Sequence, residues 1–474
     1  MAGVEGNTRR YKELGKNFGV LSIGSFASKA MSFFMVPLYT RVLSPSEYGV
    51  YNLITPIISI LVIVLTLNIS GAVLRFIMDR VDQKKDIISI GVFWTAIGSL
   101  LFTAFIILNS RYYFIKGIQP YNTYIILMYI FSSLNVLLNE TAKANDQVKD
   151  ISISGIIGTF SGIVFNLLFL LVIKLGLEGY FLANTLSIIC NSMFLVVRLR
   201  LWKFFKLHIN KELMKSMLIF TIPLAINQIG WWINNSADNY ILYFFTSTAE
   251  SGILAAAYKV PNIITTFTEF FLNAWNISVY SEYRKEGFHN YFMQSFYFFN
   301  DVCILGVGII IMLSKPISRL LFAQSYYTAW KFMPCLLVSS FFVAISGFPG
   351  SILSLKYNSK AMMTAGLIGA GTNIVLNVVF IITIGNTGIV LATAISSFVI
   401  LFFRLFFSRD DIPFHSIRKT VISWLFVMAL ALAETYFSNY IIEAIILFII
   451  FGLTYKNILI FYRKIIAFIH NRGN

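Results

Sequence analysis

Apolar residues run along this chain in blocks of about 20, separated by short polar stretches and never alternating with them one for one. A helix rising 1.5 Å per residue needs about 20 residues to cross a hydrocarbon core of roughly 30 Å, so each block is long enough to span a membrane. A transmembrane barrel would show shorter segments with period-two alternation. The pattern therefore predicts an all-α polytopic membrane protein with about 14 transmembrane helices, at 17–39, 48–72, 87–108, 121–141, 152–174, 177–199, 217–244, 252–279, 293–314, 331–355, 361–384, 387–407, 419–437 and 440–462. No long loop separates them, which excludes a sizeable extramembrane domain. The first block follows Arg9, Arg10, Lys12 and Lys16 but is too long for a signal-peptide core and lacks a small-residue cleavage site, so it is expected to be retained.

Composition agrees: of 474 residues, 57% are hydrophobic and 12% charged, about half the charged share of a soluble domain. Charge adds orientation. With both termini placed in the cytoplasm, about 28 of the 37 Lys and Arg residues fall in inner loops and tails, about 7 in outer loops, and Lys29 and Lys259 within spans. The net charge of +16 is then a topology signal and an attraction to anionic headgroups, and no nucleic-acid partner is implied. The basic stretch Arg198–Lys215 reads as a headgroup-facing linker, with a specific docking site as the alternative. Cys190, Cys303 and Cys335 lie far apart within apolar blocks, and His208, His289, His415 and His470 stand singly, so neither a disulfide framework nor a metal site is expected. Nucleophile, phosphate-loop and zinc-protease motifs are missing as well, and the chain is not expected to be an enzyme.

Internal repetition is visible. IVFNLLF at 163–169 recurs as IVLNVVF at 374–380, GLEGYFLANTLS at 176–187 as GNTGIVLATAIS at 385–396, and EYGV at 47–50 more faintly as ESGI at 250–253. The similar offsets predict two six-helix lobes, 1–200 and 213–410, followed by two additional C-terminal helices within 411–474. Six being even, both lobes start on the same side, and the repeat is parallel, about an axis along the membrane normal.

Against this apolar background, polar residues gather on helix faces. Asn227, Trp231, Asn234 and Asp238 step by four, three and four, and Lys259, Asn262, Thr266, Glu269, Asn273 and Asn276 continue the same periodicity in the next span. Ser22, Ser25, Lys29 and Ser32 form a third stripe, and Asn52, Ser59 and Thr66 a fainter one. Ser, Thr and Asn serve as interhelical glue. A charge at the bilayer centre costs about 2.5 to 3.5 kcal/mol even on the lenient scale, so Lys29, Asp238, Lys259 and Glu269 must meet water or a partner. Both a water-filled cavity and static ion pairs satisfy that requirement. Asp238 and Lys259 lie at similar depth on consecutive helices and are expected to pair.

Residues 11–54, YKELGKNFGVLSIGSFASKAMSFFMVPLYTRVLSPSEYGVYNLI, resemble the N-terminal signature of the Wzx-type polysaccharide-transporter flippases, in the superfamily that also holds the MATE exporters and lipid II flippases. Pro223–Leu224, Ser236 to Asp238, AAAYKVPNII at 255–264 and the helix around Asn373 and Asn377 extend the likeness over essentially the whole chain. One departure is Asn239, where the family often has Arg, so an Arg role there does not carry over. The resemblance implies a flippase that moves undecaprenyl-diphosphate-linked oligosaccharide from the inner to the outer leaflet of the bacterial plasma membrane by alternating access. Implied partners are membrane lipids and other polysaccharide assembly proteins; no cofactor is implied beyond coupling to a proton or Na+ gradient. The expected substrate-binding wall comprises Lys29, Arg75, Asn227, Trp231, Asn234, Asp238, Lys259, Asn262, Thr266, Glu269 and Asn273, with Lys29 on the diphosphate. Lys29, Lys259, Asp238 and Glu269 cancel in sign, so diphosphate binding needs Arg75 or a neutralised acid. A cation-coupled MATE-type exporter is the alternative. A polymerase or ligase fits less well because the outer loops near 109–120 and 315–330 are short.

Overall fold

A computed structural model describes residues 28–113, 118–204, 209–283, 285–412 and 414–472, and among these the chain is helical with no strand. Among the described residues, eleven helices are long and apolar enough to cross a membrane. Of the three other predicted spans, 17–39 begins outside the described residues, 252–279 is broken in two, and 440–462 contributes the shorter apolar stretch Tyr440–Tyr455. Contacts divide the chain into two compact units between Ser236 and Ala237.

The first unit begins with a helical segment over 28–34 and the short helix α1 (Val36–Val42). Helix α2 (Pro45–Leu65) starts at a capping box: the Ser44 hydroxyl accepts from the Glu47 amide at 3.3 Å, while the Glu47 carboxylate accepts from the Ser44 amide at 2.8 Å. The predicted span 48–72 is not one helix. It breaks after Thr66, where Leu67 and Asn68 both take left-handed conformations with φ of 51° and 52°, and α3 (Ile69–Asp79) begins anew. Asn visits that region at modest cost, whereas for Leu it is an outlier held by its surroundings. There follow α4 (Lys84–Tyr112), α5 (Asn122–Ala144), α6 (Val148–Asn166), which widens into a π-turn over Leu167–Val172, and α7 (Gly176–Leu199). Helices α6 and α7 pack closely because α6 offers glycines: a Cβ on Gly158 would lie 3.1 Å from Asn191, and one on Gly162 would lie 3.0 Å from Ser187. Helix α8 (Lys211–Phe245) enters this unit through Leu213 and Met217, which pack in a core with Ile69, Val73, Ile87, Ile88 and Leu137.

The second unit holds α9 (Thr248–Ala257), α10 (Lys259–Glu282), α11 (Phe288–Met312), α12 (Ser314–Leu321), α13 (Met333–Leu355), α14 (Ser359–Thr383), α15 (Asn386–Phe407), α16 (Phe414–Leu432) with a π-turn over Ala433–Phe437, and α17 (Tyr440–Arg472). The break at Tyr258 follows from Pro261, which has no N–H to give to the Ala257 carbonyl four residues back. Helix α13 is the axis of the unit, buried along nearly its whole length. Phe348 on α13 packs against Phe271, Trp275, Phe292, Phe296 and Phe299. Near the C-terminal helices, Glu434 and Glu443 are fully buried, and the Lys315 Nζ lies 3.8 Å from the Glu434 carboxylate, over the rings of Trp330 and Tyr440.

Candidate functional site

Asp238 sits on the second-unit portion of α8, buried to 6% exposure. Three neutral groups converge on its carboxylate. The Tyr258 hydroxyl donates to Oδ2 at 2.6 Å, the Thr393 hydroxyl to the same oxygen at 2.6 Å, and the Asn377 amide to Oδ1 at 2.7 Å. Asn377 also donates to Asn373 at 3.0 Å, which ties α14 into the cluster. Hydrogen bonds from several donors replace the water that a buried carboxylate has given up.

The expected Asp238–Lys259 ion pair is not formed. Tyr258 takes the place, and since successive helical positions are about 100° apart, Lys259 is turned away when Tyr258 faces Asp238. Lys259 is half-buried, Thr266 is buried, and Asn262, Glu269 and Asn273 are exposed. Thr266 returns its hydroxyl to the Asn262 carbonyl at 2.7 Å. Arg75 is spent locally on Asp79, at 3.1 Å within α3, and Lys29 is exposed on the 28–34 segment. The side chains of Asn227, Trp231 and Asn234 lie outside the described residues, as do Ser22 and Ser25.

The first unit contains a feature to which, of the stripe residues, Ser32 alone among those described belongs: a cavity of about 600 Å³ bounded by the 28–35 segment, α5, α6 and α7. Among the described residues its lining includes Asn135, Asn139, Asn166, Asn184 and Asn191, with Ser28, Ser32, Thr159 and Ser187, and no charged residue. Glycines at 155, 158 and 162 keep the α6 wall low. The signal was in the repeats, since Asn166 and Asn184 stand where Asn377 and Thr393 stand in the second copies. Charges stood out against the apolar spans, and single Asn residues on three different helices did not.

Residues 14–276 match the family model described as polysaccharide biosynthesis protein. The chain is 19% identical over 453 residues, 89% of each chain, to the uncharacterized membrane protein MJ1068 of Methanocaldococcus jannaschii. In fold it is similar to the lipid II flippase MurJ in an inward closed conformation, with a TM-score of 0.70 at 16% identity over 94% of this chain and 99% of that one. It also resembles an outward-facing multidrug resistance MATE family transporter of the MOP superfamily, with a TM-score of 0.57 at 14% identity over 84% and 95% of the two chains.

Proposed function

The chain belongs to the polysaccharide biosynthesis protein family, and from that membership we propose that it flips undecaprenyl-diphosphate-linked oligosaccharide from the inner to the outer leaflet of a bacterial plasma membrane. The observation that carries the reading is the uncharged polar hollow within membrane helices of the first unit. Sugar hydroxyls stripped of water in hydrocarbon cost several kcal/mol each, and a polar hollow at membrane depth supplies replacement partners. The lipid tail stays in the bilayer throughout, and alternating access presents the polar route to one leaflet at a time.

Asp238 is where a coupling gradient would act. Neutral donors take three of its roughly four acceptor positions, so a proton or a Na+ ion arriving there rearranges Tyr258, Thr393 and Asn377 around it. That local rearrangement links ion occupancy to α9, α14 and α15.

Deletion cells should accumulate the lipid-linked oligosaccharide, read by mass spectrometry, and purified protein in proteoliposomes should move it between leaflets. Transport of a drug-like cation with no movement of lipid-linked sugar would replace this reading by the exporter. The cytoplasmic placement of both termini is tested by cysteine labels. Tyr357, 92% exposed on the inner connection after α13, should resist an impermeant reagent in intact cells, while Leu320, 73% exposed on the outer α12, should react.

A further inference from the structure

We propose that the hollow of the first unit is the glycan subsite of this transporter, a neutral amide- and hydroxyl-lined pocket that takes the hydroxyl-rich sugar and excludes the diphosphate; the proposal rests on the flippase reading above. Its chemistry follows from where the lining donors go. The Asn166 amide donates to the Gly162 carbonyl at 2.7 Å, Asn184 to Tyr180 at 2.7 Å, and Asn139 to Asn135 at 2.8 Å, each on its own helix one turn back. Only the NH2 end of an amide can give a hydrogen to a carbonyl, so each clamp fixes the side chain and leaves its Oδ1 and, on Asn166 and Asn184, a second N–H. The hydroxyls are clamped too: Ser32 donates to Ser28 at 2.9 Å, Thr159 to Gly155 at 2.9 Å, and Ser187 to Gly158 at 2.7 Å. These hydroxyls can then only accept, while the two amides can both accept and donate.

The Asn166 Oδ1 is buried with no partner, on a residue only 1% exposed. Its repeat counterpart Asn377 has an equally unpartnered Oδ1 but gives its amide to the buried carboxylate of Asp238, and Thr393, the counterpart of Asn184, donates there as well. The second unit has built an internal acceptor at these positions. The first turns the amides back on their own helices beside an open space.

A wall of neutral amides and hydroxyls calls for a ligand that both donates and accepts hydrogen bonds and carries no charge. Sugar hydroxyls do both, and a volume of about 600 Å³ lies in the range of pockets for organic ligands. A diphosphate is anionic and finds no Lys, Arg or His among the described lining residues to neutralise it. An organic cation would find no carboxylate among them either.

The test compares purified full-length protein with three variants, using the lipid-linked oligosaccharide extracted from deletion cells, undecaprenyl diphosphate without sugar, the free oligosaccharide released by mild acid, and tetramethylammonium. Asn166→Leu and Asn184→Leu remove lining amides. Gly155→Leu fills the hollow from a wall position where a new Cβ meets nothing closer than the Ser28 hydroxyl at 4.0 Å, and it keeps every polar group. Wild type should bind the lipid-linked oligosaccharide more tightly than the bare lipid diphosphate, and free oligosaccharide should give a saturation-transfer signal. Each variant should lose at least tenfold in affinity for the sugar-bearing lipid and lose the free-sugar signal, with bare-lipid affinity unchanged. Retained sugar affinity in folded Gly155→Leu protein would overturn the proposal, as would loss of bare-lipid binding in step with sugar binding, or tetramethylammonium bound by wild type and lost in the variants. Wild type that binds neither lipid would instead sink the flippase reading, and the free-sugar signal would still decide the chemistry of the hollow.

Discussion

Asp238 shows how one side chain acquires a role from its neighbours. Asp238→Asn keeps the shape but replaces a charged, acceptor-only group by a neutral one with a single carbonyl, so all three donors lose charge-assisted bonds and those facing the new NH2 lose their acceptor. Transport in proteoliposomes should fall by at least tenfold while the protein still purifies as a monodisperse species. Asp238→Ala leaves Tyr258, Thr393 and Asn377 without their acceptor, at about 1–3 kcal/mol for each buried group, and should lower the melting temperature in detergent as well. Lys315 stands in the opposite situation, as the cation beside two fully buried glutamates. Lys315→Ala should destabilise by about 3–5 kcal/mol, and adding Glu434→Gln should restore part of that loss on the same thermal assay. At this scale the sequence made the intramembrane charges conspicuous, and Asp238 was legible for that reason. Its partners were not, because the Tyr258 hydroxyl and the Thr393 hydroxyl look like ordinary helix residues until the break at Tyr258 turns one of them inward. Glu434 and Glu443 escaped notice because they lie at span ends, where charges usually reach water.

Along the elements, hydrophobic block length located most of the helices but not their interruptions. A sliding count of apolar residues is blind to Leu67 and Asn68 in left-handed conformations, and to the missing N–H of Pro261, since none of these changes the hydropathy of the block. The helical hairpins α6–α7 and α14–α15 each turn through a glycine with positive φ, Gly176 at 57° and Gly385 at 89°, and three residues on in each case a second glycine sits against the preceding helix. A Cβ on Gly388 would lie 2.5 Å from the Phe380 carbonyl oxygen; one on Gly179 would lie 3.1 Å from the Phe169 carbonyl oxygen and 2.9 Å from the Leu175 Cβ. Backbone cannot step aside as a side chain can. Gly388→Ala should therefore cost about 1–3 kcal/mol and Gly179→Ala less, measured as melting temperatures in detergent. Equal losses would mean that the second hairpin relaxes more readily than its close contact implies.

For the molecule as a whole, the apolar blocks were sufficient for the all-helical membrane class, and the repeats placed corresponding segments in both halves of the chain. What they could not convey is that corresponding positions had been put to different uses, an internal hydrogen-bond network around Asp238 in one unit and a hollow in the other. The divergence has left a mark in the spacing of the chain. Ten positions separate Asn166 from Gly176, whereas eight separate Asn377 from Gly385. The longer connection carries the π-turn over Leu167–Val172, where the Ile173 amide reaches back five residues to the Leu168 carbonyl at 2.9 Å. A widened turn of this kind is how a helix absorbs added residues without shifting what precedes them. If the two hairpins descend from one duplicated ancestor, the π-turn is the scar of an insertion or its twin the product of a loss. Excising Val172 and Ile173 should then return the segment to regular α-helix, leave Asn166 where it is, and yield a protein that still purifies and still gives the free-sugar signal. Aggregation of the shortened chain would show instead that the hollow has come to depend on its extra length, and that the two copies can no longer exchange parts.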